Sequence, residues 1–514
     1  MKKTLQTMII GLSALAVITI LQTVPAHAAS LTVATGTDEN TDNASCSLSE
    51  AIENINDQAP TNTDCPAGDG ANDTINIPAG TITLVGNLVT LTEPTTVKGS
   101  GVGLSIIDGD NQYLNLSSGI ADNENFNVSD ISTTGLSGFA LCNYSGRMTV
   151  ERVDISGVGA TRNVIAGGAV TVAGILSSKL SASGTNLDTT VKDSVIHDII
   201  SASNSGSGVY GIAFAANGGI NTNFTIERTT VSNIEATTAN AYGVGYIAGF
   251  FGNAPSNNAT GSIENLTMNN VKSASTGIAG GVVSNSVAGT GTARTVIDLK
   301  NSTISEVSGG MFTTLEGAGL LLGGGTYDNT GVADATLNAT NVLMTDNKTT
   351  VSGPKNCGAF DTSFFVGGSG GSITNSFISG GGNLTDDTSC SGFFNKMSDK
   401  NNIAGLNTTL GPLQNNGGLV PTIALLKGSP AIDSGVTIAG LTDDARGSVR
   451  PQGSAYDSGA YESPFTTAAA APAAATNVAS LASTGQSRVV FIALTSFILT
   501  TSIGVVFLAK RQQV

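Results

Sequence analysis

The central part of the chain repeats a short phrase in which polar residues lead into a closing apolar residue. The closing residues are Ile155, Val195, Val231, Met268, Ile304, Met344 and Ile378. They lie 40, 36, 37, 36, 40 and 34 positions apart. A period of roughly 20 to 50 residues indicates a solenoid, a propeller or another array. The repeat therefore predicts a fold in which one structural unit is used many times.

The residue types within the repeat choose among these architectures. Gly, Thr and β-branched residues dominate, and no stretch of good helix formers has the 3.6-residue period, so helical repeats are excluded. A propeller would need four strands per unit and usually an aromatic signature, which is missing. The 40% apolar content, rich in Val and Ile, favours a packed β structure over disorder. A parallel β-helix fits best, with equivalent strands stacked about 4.8 Å apart.

We therefore predict an all-β fold, a parallel β-helix whose closing apolar residues form one interior column. Ile304 is expected to point inward and the next residue, Ser305, to lie on the opposite face, where a change costs little. The Asn and Ser residues at the preceding corner suit turns that tolerate left-handed backbone. Each coil of this length has room for a protruding loop.

Both flanks of the repeat resemble known exported β-helix proteins. At the N-terminal side, the segments similar to the CSLREA motif and its continuation are Cys46–Ile52, with Ser49 where that family has Arg, then Asp73–Thr81, Val97–Gly99 and Ile106–Gly109. At the C-terminal side, the segments similar to the choice-of-anchor Q domain are Gly411–Gly418, Gly428–Gly435, Arg446-Gly447, Arg450–Gly453 and Tyr456–Glu462. The resemblance implies a right-handed parallel β-helix on an exported protein with varied anchors. The resemblance does not imply any particular activity.

The residues themselves indicate that both flanks are caps for the open ends of a solenoid. Ser47 and Glu50 have the spacing of a capping box. The residues that would form one apolar helical face after it are Leu48, Ala51, Ile52 and Ile55. We expect this helix to lie over the first coil.

Four charged residues near the other end, Arg446, Arg450, Asp457 and Glu462, lie among Gly and Pro. They suit either a ligand clamp or an ion-pair network that locks a closing loop. The sequence leaves both interpretations open.

The cysteines suggest two local crosslinks. Cys46 and Cys65 are 19 positions apart, and Cys357 and Cys390 are 33 apart. In an exported chain both pairs are expected to be disulfides, each contributing about 3 kcal/mol by restricting the unfolded chain. Cys142 is left over, either as a small buried apolar residue or as a reactive thiol.

The N-terminus has the features of a secretory signal peptide. Lys2-Lys3 is followed by a largely apolar stretch from Met8 to Leu21 and then by Ala26-His27-Ala28. Cleavage is expected after Ala28 or Ala29. An uncleaved N-terminal membrane anchor is the alternative.

The C-terminus resembles a sortase sorting signal. Its motif is Leu481, Ala482, Ser483, Thr484 and Gly485, and residues 489–509 form an apolar run before Lys510-Arg511. Such a run spans about 31 Å as a helix, which matches a bilayer core of roughly 30 Å. Ala482 stands where the LPxTG motif has Pro, as in the LAxTG variant, so a specialised sortase and peptidoglycan are the implied partners. A plain one-pass membrane anchor is the alternative.

These features together predict a domain order. The segments are a signal peptide (1–29), an N-terminal cap with the first coils (30–100), β-helix repeats (101–405), a C-terminal cap (406–463), an Ala/Pro/Thr linker (464–480) and a sorting signal (481–514) that contains the transmembrane segment 489–509.

Charge limits the partners. Five of the 22 basic residues and none of the 38 acidic ones lie in the predicted signal and sorting segments, so 17 basic residues remain in the body. This acidic excess repels nucleic acid and anionic lipid. We expect no organic cofactor, while Ca²⁺ is a plausible ligand. The stretch Asp108–Asn111 suits either a cation or an ordinary turn.

The sequence gives little evidence for catalytic residues. A glycoside hydrolase needs two or three carboxylates within about 5 to 9.5 Å. The nearest approach to an acidic group is Asp154, Asp193 and Asp198 beside His197. Ordinary polar side chains on the surface are the alternative interpretation of this set. The expected role is therefore an adhesin-like binder of glycan or protein. A polysaccharide-active lyase or hydrolase and a structural wall protein are the alternatives.

Overall fold

The computed structural model describes residues 28–466 except 71, 112–115, 160–164, 167–168, 180–185, 202–207, 217–220, 239, 249–255, 275–277, 289–290, 311–318, 327–330, 350–352 and 361–370. The sorting motif, the predicted transmembrane segment 489–509 and most of the predicted signal peptide and linker lie outside these residues. In the part of the chain that is described, none of the helices has the length and apolar character needed to cross a membrane.

The described chain consists mainly of strands. Up to residue 192 they are β1 Ser30–Thr32, β2 Gly36–Thr37, β3 Asp73–Ile77, β4 Gly80–Thr83, β5 Thr95–Gly99, β6 Ser105–Asp108, β7 Leu116–Gly119, β8 Asn125–Thr134, β9 Leu136–Ser137, β10 Phe139–Ile155, β11 Val158–Gly159, β12 Ile165–Ala166, β13 Ala169–Lys179 and β14 Asn186–Lys192. The later strands are β15 Val195–Ser201, β16 Gly208–Ala216, β17 Asn221–Glu227, β18 Thr230–Ala236, β19 Ala241–Ala248, β20 Ser256–Glu264, β21 Thr267–Lys272, β22 Ala279–Ala288, β23 Thr292–Lys300, β24 Thr303–Gly309, β25 Leu320–Thr326, β26 Val332–Thr340, β27 Leu343–Thr345, β28 Lys348–Thr349, β29 Gly353–Pro354, β30 Cys357–Phe360, β31 Ser372–Gly381, β32 Leu384–Thr385, β33 Leu410–Gln414 and β34 Thr422–Leu425. Helix α1 is Leu48–Asp57, and a short 3-10 helix covers Leu406–Thr409.

The strands stack in parallel in three columns, so the fold is the predicted all-β parallel solenoid. The first column is β1, β3, β5, β8, β10, β14, β17, β20, β23, β26 and β31. The second is β2, β4, β6, the end of β8, the end of β10, β15, β18, β21, β24, β27 and β32. The third is β7, the start of β10, β13, β16, β19, β22, β25 and β30.

The second column contains the predicted interior row, with two corrections. The stacked inward residues are Ile155, Ile196, Val231, Met268, Ile304 and Met344, and all are fully buried. Val195, which was predicted for this row, is half-buried and packs instead against the C-terminal segment. Ile378 is also misplaced, because it lies on β31 of the first column, pairs with Asn338 and is 50% exposed.

The corner before the second column explains both errors. Each inward residue follows a left-handed corner residue by three positions, and these corners are Arg152, Asp193, Arg228, Asn265, Asn301 and Asn341. Between β14 and β15 the corner residue is Asp193, so the inward position three residues later is Ile196 and not Val195. In the last rung Gly381 and Gly382 form the corner, with φ of 101° and 70°, so the inward position passes to β32.

The corner side chains stabilise this left-handed backbone by pairing along the solenoid axis. Arg152 forms two hydrogen bonds to the Asp130 carboxylate (2.6 and 2.9 Å), and Arg228 does the same to Asp193. The Asn341 amide donates to Asn301 Oδ1 at 2.8 Å. Asn and Asp tolerate positive φ better than other side chains, which is why they recur here.

Helix α1 packs its apolar face onto the solenoid core, as the sequence predicted. Ser47 and Glu50 form both bonds of the capping box. Leu48, Ala51, Ile52 and Ile55 are fully buried in the main core cluster. Cys46 is bonded to Cys65 beside the helix. At the position where the resembling family has Arg, Ser49 donates its hydroxyl to Asp38 Oδ2 at 2.5 Å.

The last rung is covered by the segment 386–405. Lys400 pairs in parallel with Leu384, and Phe394 is buried in the main core cluster. The second expected disulfide, Cys357–Cys390, joins this segment to β30. The end of the solenoid is therefore closed before residue 406.

Residues 406–465 form a lateral segment rather than the predicted end cap. They run back along the outside of the second column: Gly459 N donates to Asn341 O, Ala460 N to Thr303 Oγ1, and Thr230 Oγ1 to Pro421 O. The small polar side chains on this outer face allow the close backbone approach. Ser305 lies on the outer face as predicted, and it is only 4% exposed.

Candidate functional site

A cleft of about 390 Å³ lies between the outer face of the second column and the β33–β34 hairpin. We call it the hairpin cleft. Its lining residues are Asn233, Asn269, Ser305, Glu306, Thr345, Asp346, Asn407, Leu410, Gly411, Pro412, Leu413 and Ile423.

One wall of the hairpin cleft is a regular polar row. Asn269, Ser305 and Thr345 occupy the same outward position on β21, β24 and β27, each one residue after an inward apolar residue. The Asn269 amide donates to Ser305 Oγ at 3.0 Å, and Thr345 Oγ1 donates to Asp386 Oδ2 at 2.7 Å. Stacked strands are about 4.8 Å apart, so amide and hydroxyl groups recur along this wall at that interval.

The residues that directly follow these positions in the chain form a second row, which contains the acidic side chains of the cleft. Asn233, Asn270, Glu306 and Asp346 all have left-handed backbone, with φ between 53° and 59°. Glu306 and Asp346 directly follow the paired residues Ser305 and Thr345, so their carboxylates lie on successive rungs. The amide of Asn407 donates to Asp346 Oδ1 at 3.2 Å and thereby joins the lateral segment to this row.

The hairpin supplies the opposite, more apolar wall. Leu410, Pro412, Leu413 and Ile423 line this side of the cleft. A cleft with apolar surface on one side and a few ordered polar groups on the other is typical of ligand sites.

The His197 group lies at the end of the same polar row. His197 is in register with Ser232, and Ser232 with Asn269. Its Nε2 lies 3.0 Å from Asp154 Oδ1 and its Nδ1 lies 2.6 Å from Asp198 Oδ2. The hydrogen bond to Asp154, helped by the one to Asp198, raises the pKa of His197. Both ring nitrogens are therefore engaged with carboxylates.

Asp193 does not join the His197 group, although the sequence placed it among the candidates. Its carboxylate binds Arg228 at 2.6 and 2.9 Å on the corner row. The structure thus favours a surface polar network over a catalytic acidic group at this place.

Of the two interpretations of the C-terminal charges, the contacts support the ion-pair network. Arg450 and Glu462 are joined at 2.9 Å, and neither side chain has exposed surface. Burial is the main cause that raises the pKa of Asp457 to about 7. Arg446 binds the buried Asp444 and lies 3.6 Å from the centre of the Tyr461 ring. The network holds the lateral segment together and leaves Arg450 no access to a ligand.

The stretch Asp108–Asn111 has the geometry of a turn. Asp110 N donates to Asp108 Oδ1 at 3.0 Å, and Asp110 and Asn111 have left-handed backbone. At the predicted signal cleavage site, Ala29 N donates to the buried Asp73 Oδ1 at 2.7 Å. The sorting motif Leu481–Gly485 lies outside the described residues.

The hairpin cleft itself was not predicted from the sequence. The polar row could have been found, because its members follow the closing residues Met268, Ile304 and Met344. The opposite wall could not, because residues 410–423 lie far along the chain and reach the cleft only through the lateral segment.

Searches against protein-family models, curated proteins and solved structures found no match.

Proposed function

We propose that this chain is a bacterial cell-surface protein that binds a glycan through the hairpin cleft. The observation that carries the proposal is the regular row of Asn269, Ser305 and Thr345 opposite an apolar wall. Amide and hydroxyl groups pair with sugar hydroxyls, and equal spacing along the solenoid suits a ligand that is itself a repeating polymer. A protein ligand lacks such a regular repeat, so it would match the equal spacing of these groups less well.

Export and anchoring belong to the same proposal. The two disulfides favour an oxidising compartment, where such bonds persist. The signal-like N-terminus and the LAxTG-like motif suggest secretion followed by transfer to peptidoglycan by a sortase. The right-handed winding implied by the resemblance to CSLREA and choice-of-anchor Q proteins agrees with the preferred hand of parallel crossovers.

A glycan array with the purified full-length chain tests the binding proposal. On any glycan that binds, Asn269→Ala should weaken affinity about tenfold, because a lost hydrogen bond with its partner left unpaired costs on the order of 1.4 kcal/mol. Asn223→Ala removes an exposed amide from β17 of the first column and should leave affinity unchanged. An array without any bound glycan, or equal losses in both variants, contradicts the proposal.

A polysaccharide-active enzyme is the second candidate, and one observation favours it. Glu306 and Asp346 line the cleft on successive rungs, and hydrolases place two carboxylates about 5 to 9.5 Å apart. Incubating a bound glycan with the chain and measuring new reducing ends separates the two functions. An enzyme releases reducing ends that disappear in both Glu306→Gln and Asp346→Asn, whereas a binder releases none. If the chain shows neither binding nor turnover, the third candidate, a structural wall protein, is left.

A further inference from the structure

Two carboxylates lie side by side where helix α1 begins. Glu50 is on the first turn of the helix, and Asp64 precedes the disulfide-bonded Cys65. An oxygen of Glu50, an oxygen of Asp64 and the sulfur of Cys65 all lie within 4.8 Å of one another. Because that sulfur is bonded to Cys46, only the carboxylates are available as ligands.

Each carboxylate has one oxygen engaged and one without a partner. Glu50 Oε2 accepts from Ser47 N at 2.9 Å, and Asp64 Oδ2 accepts from Asn43 N at 2.9 Å and Ser45 N at 3.2 Å. Among the described residues, Glu50 Oε1 and Asp64 Oδ1 are buried and accept no hydrogen bond. Glu50 as a whole has no exposed surface.

A buried carboxylate oxygen without a partner is unfavourable. The Glu50 carboxylate loses its hydration on burial, and only its Oε2 is compensated by a hydrogen bond. Buried charges in proteins are normally paired or coordinate a metal.

We propose that Glu50 Oε1 and Asp64 Oδ1 bind a divalent cation of the Ca²⁺ class. Oxygen-only ligation suits a hard cation, and Ca²⁺ tolerates an irregular shell completed by water. The ion would link helix α1 to the disulfide loop. Each carboxylate would then face a cation instead of the negative charge of the other carboxylate. With two protein carboxylates, the affinity should fall in the range of about 10⁻⁴–10⁻³ M that is typical of extracellular modules.

The test is a titration of the chelator-treated full-length chain with CaCl₂, followed by calorimetry and by the thermal midpoint. Saturable binding and a higher midpoint are expected. Glu50→Gln keeps an acceptor for Ser47 N, since Gln also serves in a capping box, and Asp64→Asn keeps one for Asn43 and Ser45. Each should weaken binding at least tenfold. Asp57→Asn, an exposed change on the same helix, should bind Ca²⁺ like the unsubstituted chain.

Two results overturn the proposal. One is the absence of heat and of any midpoint shift when Ca²⁺ is added to the unsubstituted chain. If, in addition, acidification raised the thermal midpoint of the unsubstituted chain but not that of Glu50→Gln, the result would indicate that Glu50 and Asp64 share a proton instead of a metal ion. The other is unchanged Ca²⁺ affinity in both Glu50→Gln and Asp64→Asn, which would place the ion elsewhere.

Discussion

Left-handed residues determine where side chains point in this solenoid. The corner residues, such as Asn301, set the inward position three residues later, and the second left-handed row, such as Glu306, carries polar groups into the hairpin cleft. Asn and Asp fill most of these places because their short polar side chains tolerate positive φ. A shift of one residue at a corner exchanges the buried and outward faces of the strand that follows.

The interior row can be tested with two isoleucines that the repeat pattern treats as equivalent. Ile304→Asp buries an unpaired charge in the core and should destabilise the fold by at least about 3 kcal/mol. Ile378→Asp changes a half-exposed residue and should cost within about 0.5 kcal/mol. Chemical unfolding midpoints measure both. Equal shifts would contradict the register described above.

His197 should titrate above the ordinary range for histidine, because Asp154 and Asp198 hold its protonated form. The stability that it contributes is fully present below about pH 6.5 and is lost as pH rises through the folded-state value. NMR of the imidazole signal, assigned with His197→Asn, reports this pKa. Asp154→Asn should lower it, whereas Asp188→Asn, at a carboxylate bound to Arg147 and Asn223, should not. A His197 pKa unaffected by Asp154→Asn contradicts the pairing.

At the scale of elements, the lateral segment differs most from a simple solenoid. It is held to the second column by hydrogen bonds such as the one from Ala460 N to Thr303 Oγ1, and its own residues are held together by the buried Arg450–Glu462 pair. The hairpin that forms one wall of the cleft belongs to this segment. The stability of this segment should therefore affect the proposed ligand site.

Arg450→Met should loosen the lateral segment. The change leaves Glu462 as a buried, uncompensated charge and removes the hydrogen bonds to Asp457 O and Gly459 O, at a cost of about 3–5 kcal/mol. Limited proteolysis should then cut within 406–463, and glycan binding should weaken. The double variant Arg450→Met/Glu462→Met replaces the pair with apolar side chains and should recover part of the loss. Unchanged protease resistance in Arg450→Met would refute this role.

At the scale of the whole molecule, the described solenoid is covered at its last rung and along one side. Helix α1 packs on the core near the first rungs, the segment 386–405 covers the last rung, and the lateral segment lies over the second column. These layers shield the strand edges and the outer face that an open solenoid would present to other chains.

Processing of the whole chain gives the last prediction. Cleavage after Ala28 would place the new ammonium group of Ala29 against Asp73 Oδ1, turning an existing contact into an ion pair. Sortase transfer would join Thr484 to a wall amine. Wall-digesting enzymes should therefore release a protein whose terminal peptides begin at Ala29 and end at Thr484 with a wall fragment. Release by detergent alone, with Lys510 and Arg511 retained, would leave only a membrane anchor.

The sequence by itself determined the repeat, the parallel solenoid, the capping box and the two disulfides. These are local or periodic properties, because each rung repeats the same alternation and each cysteine partner is near in the chain. Five of the seven predicted inward residues followed from the pattern. Val195 and Ile378 did not, since spacing alone cannot show which residue turns the corner.

Only the tertiary structure decided the place of the lateral segment and, with it, the cleft. Residues 406–465 contact the solenoid through scattered apolar side chains, such as Leu406 and Ile432 in a cluster with Leu343, and through single hydrogen bonds. These apolar residues follow no regular period, so their spacing does not reveal which face they cover. The contact between Pro421 and Thr230 joins residues 191 positions apart. Such a contact depends on the shape of the finished solenoid, because its outer face exists only after the rungs have stacked.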